Sequence, residues 1–219
     1  MKQVDRKTLK KDFLNLVRKK RLIPVVRVTS KEQARCAAKG ILSAGFPLIE
    51  ITMTVPGALE IIRELSGGYG GELMVGAGTV LDDETCLQAV HAGATFIVSP
   101  SYEAAVIETA NAHDTACIAG ALTPTEILAA HRNGADMVKV FPCGALGGAR
   151  YIRALKGPFP DIELVPSSGV NRETAAEFLD AGSTAVAIGE PIFEKHALAT
   201  GDHQKIESNA AYFQQLCSA

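Results

Sequence analysis

The amino-acid sequence predicts an α/β protein that forms a single (β/α)8 TIM barrel over residues 1–219, with an extra N-terminal helix at about residues 5–19. Eight short apolar segments alternate with amphipathic helical stretches along the chain. No linker or shift in composition divides the eight units, and a doubly wound sheet usually has fewer strands. A barrel is therefore the preferred architecture.

The N-terminal helix is predicted from an apolar stripe at helical spacing, formed by Leu9, Phe13, Leu16 and Val17. The basic run at residues 18–21 ends this helix. Because cations are favourable at a helix C-terminus, we interpret the run as a solvated helix end and not as a binding patch. We expect this helix to cover the bottom of the barrel.

Strands are predicted where short apolar runs lie between turn signals, at residues 22–28, 47–53, 73–77, 95–99, 115–119, 136–141, 162–166 and 184–189. A helical pattern follows each strand. Residues 30–33 and 123–126 are capping boxes that begin two of these helices. Glycines that tolerate positive φ precede several strands: Gly45, Gly93, Gly134 and Gly182. The glycine run at residues 67–71 is expected to be a flexible connection on the face opposite the active site.

Composition and charge exclude several classes of function. The chain has 22 Lys and Arg residues against 24 Asp and Glu residues, and its net charge of −2 gives no electrostatic basis for binding nucleic acid or an anionic membrane. No apolar stretch approaches the length of a membrane span, and the N-terminus, which carries Asp5 and Asp12, lacks the apolar core of a secretion signal, so we expect a cytoplasmic protein. The five cysteines are scattered along the chain, so we expect reduced and mostly packed thiols. The histidines lie away from the predicted strand ends, so we expect no metal site there.

The most informative residue is a lysine inside an apolar predicted strand. The period of two along a strand places Lys139 on the face opposite Val138 and Val140, pointing into the barrel. A lysine in a largely apolar pocket loses hydration of its charged form, so a nucleophilic free amine becomes available near neutral pH. Such an amine can form a Schiff base with a carbonyl substrate. The alternative is an inward lysine paired with a structural carboxylate.

Polar side chains gather at the C-terminal ends of the predicted strands, where a barrel places its active site. Alternation along the strands turns five side chains inward together: Arg27, Glu50, Thr52, Lys139 and Phe141. A single charge inside a barrel can be a satisfied ion pair, but three charges at the same end indicate a site.

These residues suit the chemistry of a keto acid. Lys139 would attack the keto carbon, and Glu50 would move protons during dehydration and at the aldehyde-forming hydroxyl. Arg27 and Thr79 would bind the carboxylate beside the imine, and the preceding Gly76-Ala77-Gly78 lets the backbone approach a ligand closely. Glu50 and Arg27 keep an alternative interpretation as structural ion-pair partners.

Segments along nearly the whole chain resemble the family of 2-keto-3-deoxy-6-phosphogluconate and 4-hydroxy-2-oxoglutarate aldolases, which are class I pyruvate aldolases. The matching segments are residues 49–52, 54–56, 75–80, 96–100, 122–126, 138–142, 156–160 and 165–166. The resemblance implies a homotrimer of barrels, with Lys139 as the Schiff-base lysine and Glu50 as the general acid/base. It also places four residues around the pyruvyl group: Thr79, Pro100, Phe141 and Ser167. Some members carry an arginine at the position of Thr54, whereas this chain looks like those that use one at Arg27.

Two turns depart from the pattern of family members that take phosphorylated substrates. Such members typically show Thr-Gly-Gly after the seventh strand and Gly-Ser after the eighth. This chain has Ser168 and Gly169 in the first turn and Gly189 and Glu190 in the second. A carboxylate beside a phosphate dianion is repulsive. We therefore expect this distal site to favour an unphosphorylated substrate, unless Glu190 turns to solvent or pairs with a lysine.

The sequence thus predicts a class I aldolase that cleaves a 2-keto-3-deoxy sugar acid or a 4-hydroxy-2-keto acid to pyruvate and an aldehyde, without a metal or other cofactor. One alternative is a 2-keto-3-deoxy-6-phosphogluconate aldolase with Glu190 turned out of the site. Others are a phosphate-binding barrel isomerase or epimerase, and a barrel that binds keto acids or sugar acids without turnover.

Overall fold

Eight parallel strands form a nearly closed barrel in the computed structural model, which describes residues 5–69 and 72–218. The strands are β1 (Leu22–Val26), β2 (Leu48–Thr52), β3 (Met74–Gly78), β4 (Phe96–Val98), β5 (Ala116–Ala121), β6 (Met137–Val140), β7 (Leu164–Pro166) and β8 (Val186–Ile188). Their order is β7-β6-β5-β4-β3-β2-β1-β8, and a bridge between Ser167 and Ala187 joins the two ends. The predicted (β/α)8 barrel is confirmed, and every predicted strand overlaps an observed one.

Ten helices surround the barrel within the described ranges. They are α1 (Arg6–Lys20), α2 (Lys31–Ser43), α3 (Ala58–Gly68), α4 (Asp83–His91), α5 (Ala104–Ala112), α6 (Pro124–Arg132), α7 (Ala149–Lys156), α8 (Ala175–Asp180), α9 (Lys195–Thr200) and α10 (His203–Ser218). The capping box at Thr123 and Glu126 is complete. At the start of α2, Ser30 accepts from the Gln33 amide, but the Gln33 side chain accepts from the amide of Thr29 instead of Ser30.

The glycine predictions hold in part. All four glycines expected to tolerate positive φ adopt it: Gly45, Gly93, Gly134 and Gly182. The expected flexible connection is wrong for Gly67 and Gly68, because α3 continues through both of them. Gly70 and Gly71 lie outside the described residues.

The N-terminal helix α1 covers the N-terminal end of the barrel, as predicted. Phe13 and Val17 are fully buried, and the Phe13 ring stacks on Phe96 with 4.3 Å between ring centroids. A Cβ at Gly76 would collide with the Phe96 ring, so glycine at this position makes room for the aromatic stack. The helix α1 thus packs against this end, while the cavity among the described residues opens at the opposite, C-terminal ends of the strands.

The five cysteines are free thiols, and all except Cys36 are buried. Burial raises the pKa of the Cys86, Cys143 and Cys217 thiols to about 11, so these groups stay protonated at neutral pH.

No helix within the described ranges is long and apolar enough to cross a membrane. Nor do those ranges contain a group of three His, Cys, Asp or Glu side chains placed to hold a metal ion.

Candidate active site

Lys139 lies in the middle of β6 and is only 5% exposed. Its neighbours Val138 and Val140 are fully buried on the other face of the strand, as the period of two predicts. The Lys139 Nζ lies 5.5 Å from the centroid of the Phe141 ring. The amine is therefore held at the C-terminal end of the barrel, beside an aromatic ring.

Glu50 lies in β2 and is 1% exposed. Its Oε1 atom has no hydrogen-bond partner among the described residues, which is costly for a buried carboxylate. Burial raises the pKa of Glu50, and the charges of Lys139 and Arg27 offset only part of that effect. A carboxyl group that is buried without a partner and has a raised pKa is suited to taking up and releasing protons.

The space for this carboxylate comes from a glycine on the neighbouring strand. A Cβ at Gly78 would collide with Glu50 Oε1. Thr52 pairs with Gly78 in the register of β2 and β3, and its hydroxyl donates to the carbonyl of Val26 at 3.1 Å. The Thr52 hydroxyl also lies 2.8 Å from that of Thr54. Thr52 thus ties the ends of β1 and β2 together, while Gly78 leaves Glu50 its place in the barrel.

A cavity of about 480 Å³ opens at the ends of β1, β7 and β8. It is lined by Val25, Arg27, Phe141, Ser167, Ser168, Gly169, Val170, Ala187, Gly189, Glu190, Pro191, Phe193, Lys195 and Leu198. Phe141 belongs to this lining and also contacts the lysine, so the cavity adjoins Lys139.

Arg27 differs from its prediction in one respect. It lines the cavity, but its side chain is exposed because β1 ends at Val26, so the inward alternation of the strand does not bury it. It remains close enough to lower the pKa of Glu50.

The residues that the resemblance places around the pyruvyl group all follow strand ends. Phe141 and Ser167 line the cavity after β6 and β7. Thr79 follows β3 with a φ of 60°, and Pro100 follows β4. A Cβ at Gly120 would collide with the Pro100 carbonyl group, so this glycine lets the Pro100 segment pack against β5. The structure thus brings these four residues to one end of the barrel.

The distal turns also face the cavity. Ser168, Gly169, Gly189 and Glu190 all belong to its lining. The Glu190 carboxylate forms an ion pair with Lys195 at 3.4 Å, and the two side chains are 70% and 87% exposed. Sequence reasoning did not single out Lys195. Lys195 begins α9, the helix that follows β8. A search of the segment after β8 for a cation that could pair with Glu190 would therefore have found it.

Ser168 adopts a left-handed backbone with a φ of 74°, which is strained for a residue that carries a Cβ. Ser168→Gly is expected to raise the free energy of unfolding by about 1 kcal/mol, because glycine adopts this conformation without strain. The midpoint of urea denaturation measures the change. Ser167→Gly is the matched control, since the Ser167 backbone is not left-handed, and it should lower the same free energy. Earlier unfolding of Ser168→Gly than of wild type would contradict the account.

Comparison with known proteins agrees with this arrangement. The family model for KDPG and KHG aldolase, in which KDPG is 2-keto-3-deoxy-6-phosphogluconate and KHG is 4-hydroxy-2-oxoglutarate, matches residues 14–209. The 2-dehydro-3-deoxy-phosphogluconate aldolase of Pseudomonas aeruginosa is 31% identical over 207 residues, covering 94% of this chain and 93% of that protein. The 2-dehydro-3-deoxy-6-phosphogalactonate aldolase of Escherichia coli is 32% identical over 173 residues, covering 78% and 84%.

A solved structure extends the likeness to the fold. The 2-keto-3-deoxy-6-phosphogluconate aldolase of Zymomonas mobilis, determined with 3-phosphoglycerate, superimposes with a TM-score of 0.81 at 26% identity, covering 94% of this chain and 96% of that one. A buried lysine, and a buried glutamate whose Oε1 has no hydrogen-bond partner in the part of the chain that the structure describes, accompany these similarities. The chain belongs to the KDPG and KHG aldolase family.

Proposed function

We propose that this aldolase acts through a Schiff base at Lys139 and cleaves a 2-keto-3-deoxy sugar acid to pyruvate and an aldehyde. The observation that carries the proposal is the pair of buried groups at the open end of the barrel, Lys139 on β6 and Glu50 on β2. Neither an isomerase nor a barrel that only binds its ligand needs a nearly buried lysine near a carboxylate whose Oε1 has no hydrogen-bond partner among the described residues.

The reaction begins when the Lys139 amine attacks the keto carbon, and the carbinolamine then loses water to give an iminium ion. Glu50 donates the proton that the departing hydroxyl needs. Its carboxylate then accepts the proton of the C4 hydroxyl while the C3–C4 bond breaks, which releases the aldehyde and leaves an enamine on Lys139. Protonation of the enamine at C3 and hydrolysis of the imine release pyruvate and regenerate the free amine.

The residues around Lys139 divide into two sets by chemistry. Arg27 is the cation that can pair with the substrate carboxylate, with Thr79 and Ser167 as hydroxyl partners. Phe141 and Pro100 supply apolar surface beside the imine. This environment limits water around the lysine, which strengthens each electrostatic contact within the site.

The distal end of the cavity favours an unphosphorylated tail. Glu190 lies in the cavity lining, where its negative charge opposes a phosphate dianion. A neutral polyol tail avoids this repulsion and can form hydrogen bonds with the Glu190 carboxylate and the Ser168 hydroxyl. We therefore propose an unphosphorylated 2-keto-3-deoxy acid as the preferred substrate.

The second candidate substrate is the corresponding 6-phosphate, and the ion pair between Glu190 and Lys195 favours it. Lys195 is a second cation in the cavity lining besides Arg27 and offsets part of the charge of Glu190. The relatives named above are aldolases of phosphorylated sugar acids, and the Zymomonas mobilis structure holds 3-phosphoglycerate. Because both partners of the ion pair are mostly exposed, solvent screens their interaction, and Glu190 keeps part of its effect on a bound anion.

Pyruvate release from matched pairs of phosphorylated and unphosphorylated 2-keto-3-deoxy acids tests which of the two candidate substrates the enzyme prefers. We expect the wild type to have the higher kcat/KM with the unphosphorylated acid. Glu190→Ser should shift the ratio of kcat/KM values toward the 6-phosphate by about one to two decades, because removing one like charge near a surface is worth about 1–3 kcal/mol.

Lys195→Met is the matched control for the charge argument, since it removes the neighbouring cation and should shift the ratio in the opposite direction. A wild type that already cleaves the 6-phosphate better would overturn the substrate proposal and leave the aldolase assignment in place.

We further propose a homotrimeric, cytoplasmic enzyme. The trimer is what the family resemblance implies, and the cytoplasmic location is proposed by analogy with the metabolic aldolases that this chain resembles. Light scattering of the purified chain measures the oligomeric state, and a monomer or dimer would contradict the first statement.

A further inference from the structure

A fully buried asparagine lies outside the residues that line the active-site cavity. Asn209 is in the middle of α10 and is 1% exposed, on the helix face that also carries Ile206, Ala210 and Phe213. Burying an amide among apolar side chains costs free energy unless its hydrogen bonds are satisfied. The partners of Asn209 therefore indicate why a polar residue is present at this position.

Those partners belong to two loops at the open end of the barrel. The Asn209 Nδ2 atom donates to the Ile192 carbonyl at 3.2 Å and to Glu194 Oε1 at 2.9 Å. The Oδ1 atom accepts from Arg172 Nη2 at 2.9 Å. Because arginine only donates and a carbonyl oxygen only accepts, this set of partners fixes the orientation of the amide.

Ile192 and Glu194 lie in the loop between β8 and α9. The amides of Ile192 and Phe193 both donate to the Gly189 carbonyl at 3.0 Å, so the Ile192 carbonyl is rigidly linked to Gly189. Glu194 precedes Lys195, the partner of Glu190. By holding this loop at two points, Asn209 fixes the segment that lines the distal cavity after β8.

Arg172 lies in the loop between β7 and α8. Its guanidinium stacks on the Tyr212 ring, with 4.4 Å between Cζ and the ring centroid, which holds it against α10. In the same loop, the Thr174 hydroxyl donates to the Gly169 carbonyl at 2.8 Å. The contact between Arg172 and Asn209 thus links the turn of Ser168 and Gly169 to the same helix that holds the β8 loop.

We infer that Asn209 is a positioning residue that sets the spacing of the two distal turns, and so determines how the enzyme binds the part of the substrate beyond the cleaved bond. The inference rests on the proposed function. Asn209 acts through Arg172, Ile192 and Glu194 and does not touch the substrate. Lys139 and Glu50 lie on β6 and β2, and among the described residues no side-chain hydrogen bond joins either of them to Arg172, Ile192 or Glu194. We therefore expect the chemistry on the pyruvyl part not to depend on Asn209.

The experiment measures separately how a variant affects binding of the distal part of the substrate and chemistry on the pyruvyl part. Asn209→Leu keeps the approximate volume of the side chain and removes all three hydrogen bonds. We expect this variant to raise the KM for 2-keto-3-deoxygluconate about tenfold, with a smaller change in kcat, because the distal contacts are weakened. Deuterium exchange of the pyruvate methyl group in heavy water uses Lys139, Glu50 and the groups that bind the pyruvyl carboxylate, and not the distal turns, so it should stay within about twofold of wild type.

Two further variants complete the test. Arg172 is exposed, so Arg172→Ala should fold, and it is expected to raise the same KM about threefold because one charge-assisted hydrogen bond is lost. Thr115→Val is the matched control. Thr115 is also 1% exposed, but its hydroxyl contacts Arg6 and the His113 carbonyl at the N-terminal end of the barrel. It should lower the melting temperature without changing KM.

A rise in KM with unchanged methyl exchange supports the inference. Unchanged KM in both Asn209→Leu and Arg172→Ala would overturn it, as would a parallel loss of cleavage and methyl exchange, which indicates general loosening of the fold. Absence of pyruvate exchange in the wild type would refute the proposed function, and with it this inference, before any variant is compared.

Discussion

Lys139→Ala is expected to lose aldol cleavage completely at the sensitivity of a pyruvate-release assay, because Lys195, the amine in the cavity lining, is exposed and paired with Glu190. Lys139 is the one lysine among the described residues that lies inside a strand of the barrel with its side chain almost fully buried. The chemistry therefore has no substitute nucleophile, and the loss should affect phosphorylated and unphosphorylated substrates alike.

Lys139→Arg is the informative companion variant. It places a positive charge beside Phe141, yet it should be as inactive as Lys139→Ala, because a guanidinium stays protonated and cannot form the imine. Lys195→Met controls for the loss of a lysine elsewhere in the same cavity and should retain turnover. Substantial activity in Lys139→Arg would show that the lysine acts only as a charge.

Glu50→Gln is expected to lower turnover by about 10²- to 10⁴-fold, the usual contribution of a positioned acid/base group. Glutamine has nearly the same shape, so the packing against Gly78 should be kept. Steady-state pyruvate release measures the change, and borohydride trapping measures whether imine formation slows as well. Unchanged turnover together with a lower melting temperature would instead identify Glu50 as a structural partner of Lys139 or Arg27.

The raised pKa of Glu50 also makes the stability of the fold depend on pH. Burial raises the pKa of Glu50 in the folded chain above its ordinary value of 4.5, so the folded state binds the proton more tightly than the unfolded state. Below that ordinary value the side chain is protonated in both states, and its ionisation costs no stability. As the pH rises through the raised pKa, the buried carboxylate destabilises the fold.

Glu50→Gln lacks this ionisation, so it should melt above wild type at about pH 8 and lose that advantage toward about pH 4. Thermal melts of both proteins across this range measure the difference. A glutamine variant that is less stable than wild type at high pH would contradict the assignment of a raised pKa.

Much of the architecture was predictable because it depends on local patterns. The barrel follows from eight apolar runs with helical stretches between them, and the inward position of Lys139 follows from its two valine neighbours. The cap at Thr123 is likewise determined by a few adjacent residues. Each of these features needs only the periodicity or the chemistry of a short segment.

The parts that sequence reasoning missed depend on where segments end and which loops meet. Arg27 is exposed because β1 ends at Val26, the residue before it. The periodicity of the sequence does not indicate where a strand ends. The pairing of Glu190 with a lysine was one of the two alternatives stated from the sequence, but the identity of that lysine, Lys195, was missed. Lys195 and the partners of Asn209 lie at spacings that reflect no helix or strand period. Such contacts depend on the three-dimensional path of the loops.

The most direct test of the account is mass spectrometry of the wild-type chain after incubation with pyruvate and borohydride. We predict a gain of one reduced pyruvyl group per chain, located by peptide mapping on Lys139 and absent when pyruvate is omitted. A barrel isomerase or a binding protein without turnover would form no reducible imine. A label on another lysine, or none, would contradict the central claim that Lys139 is the Schiff-base nucleophile.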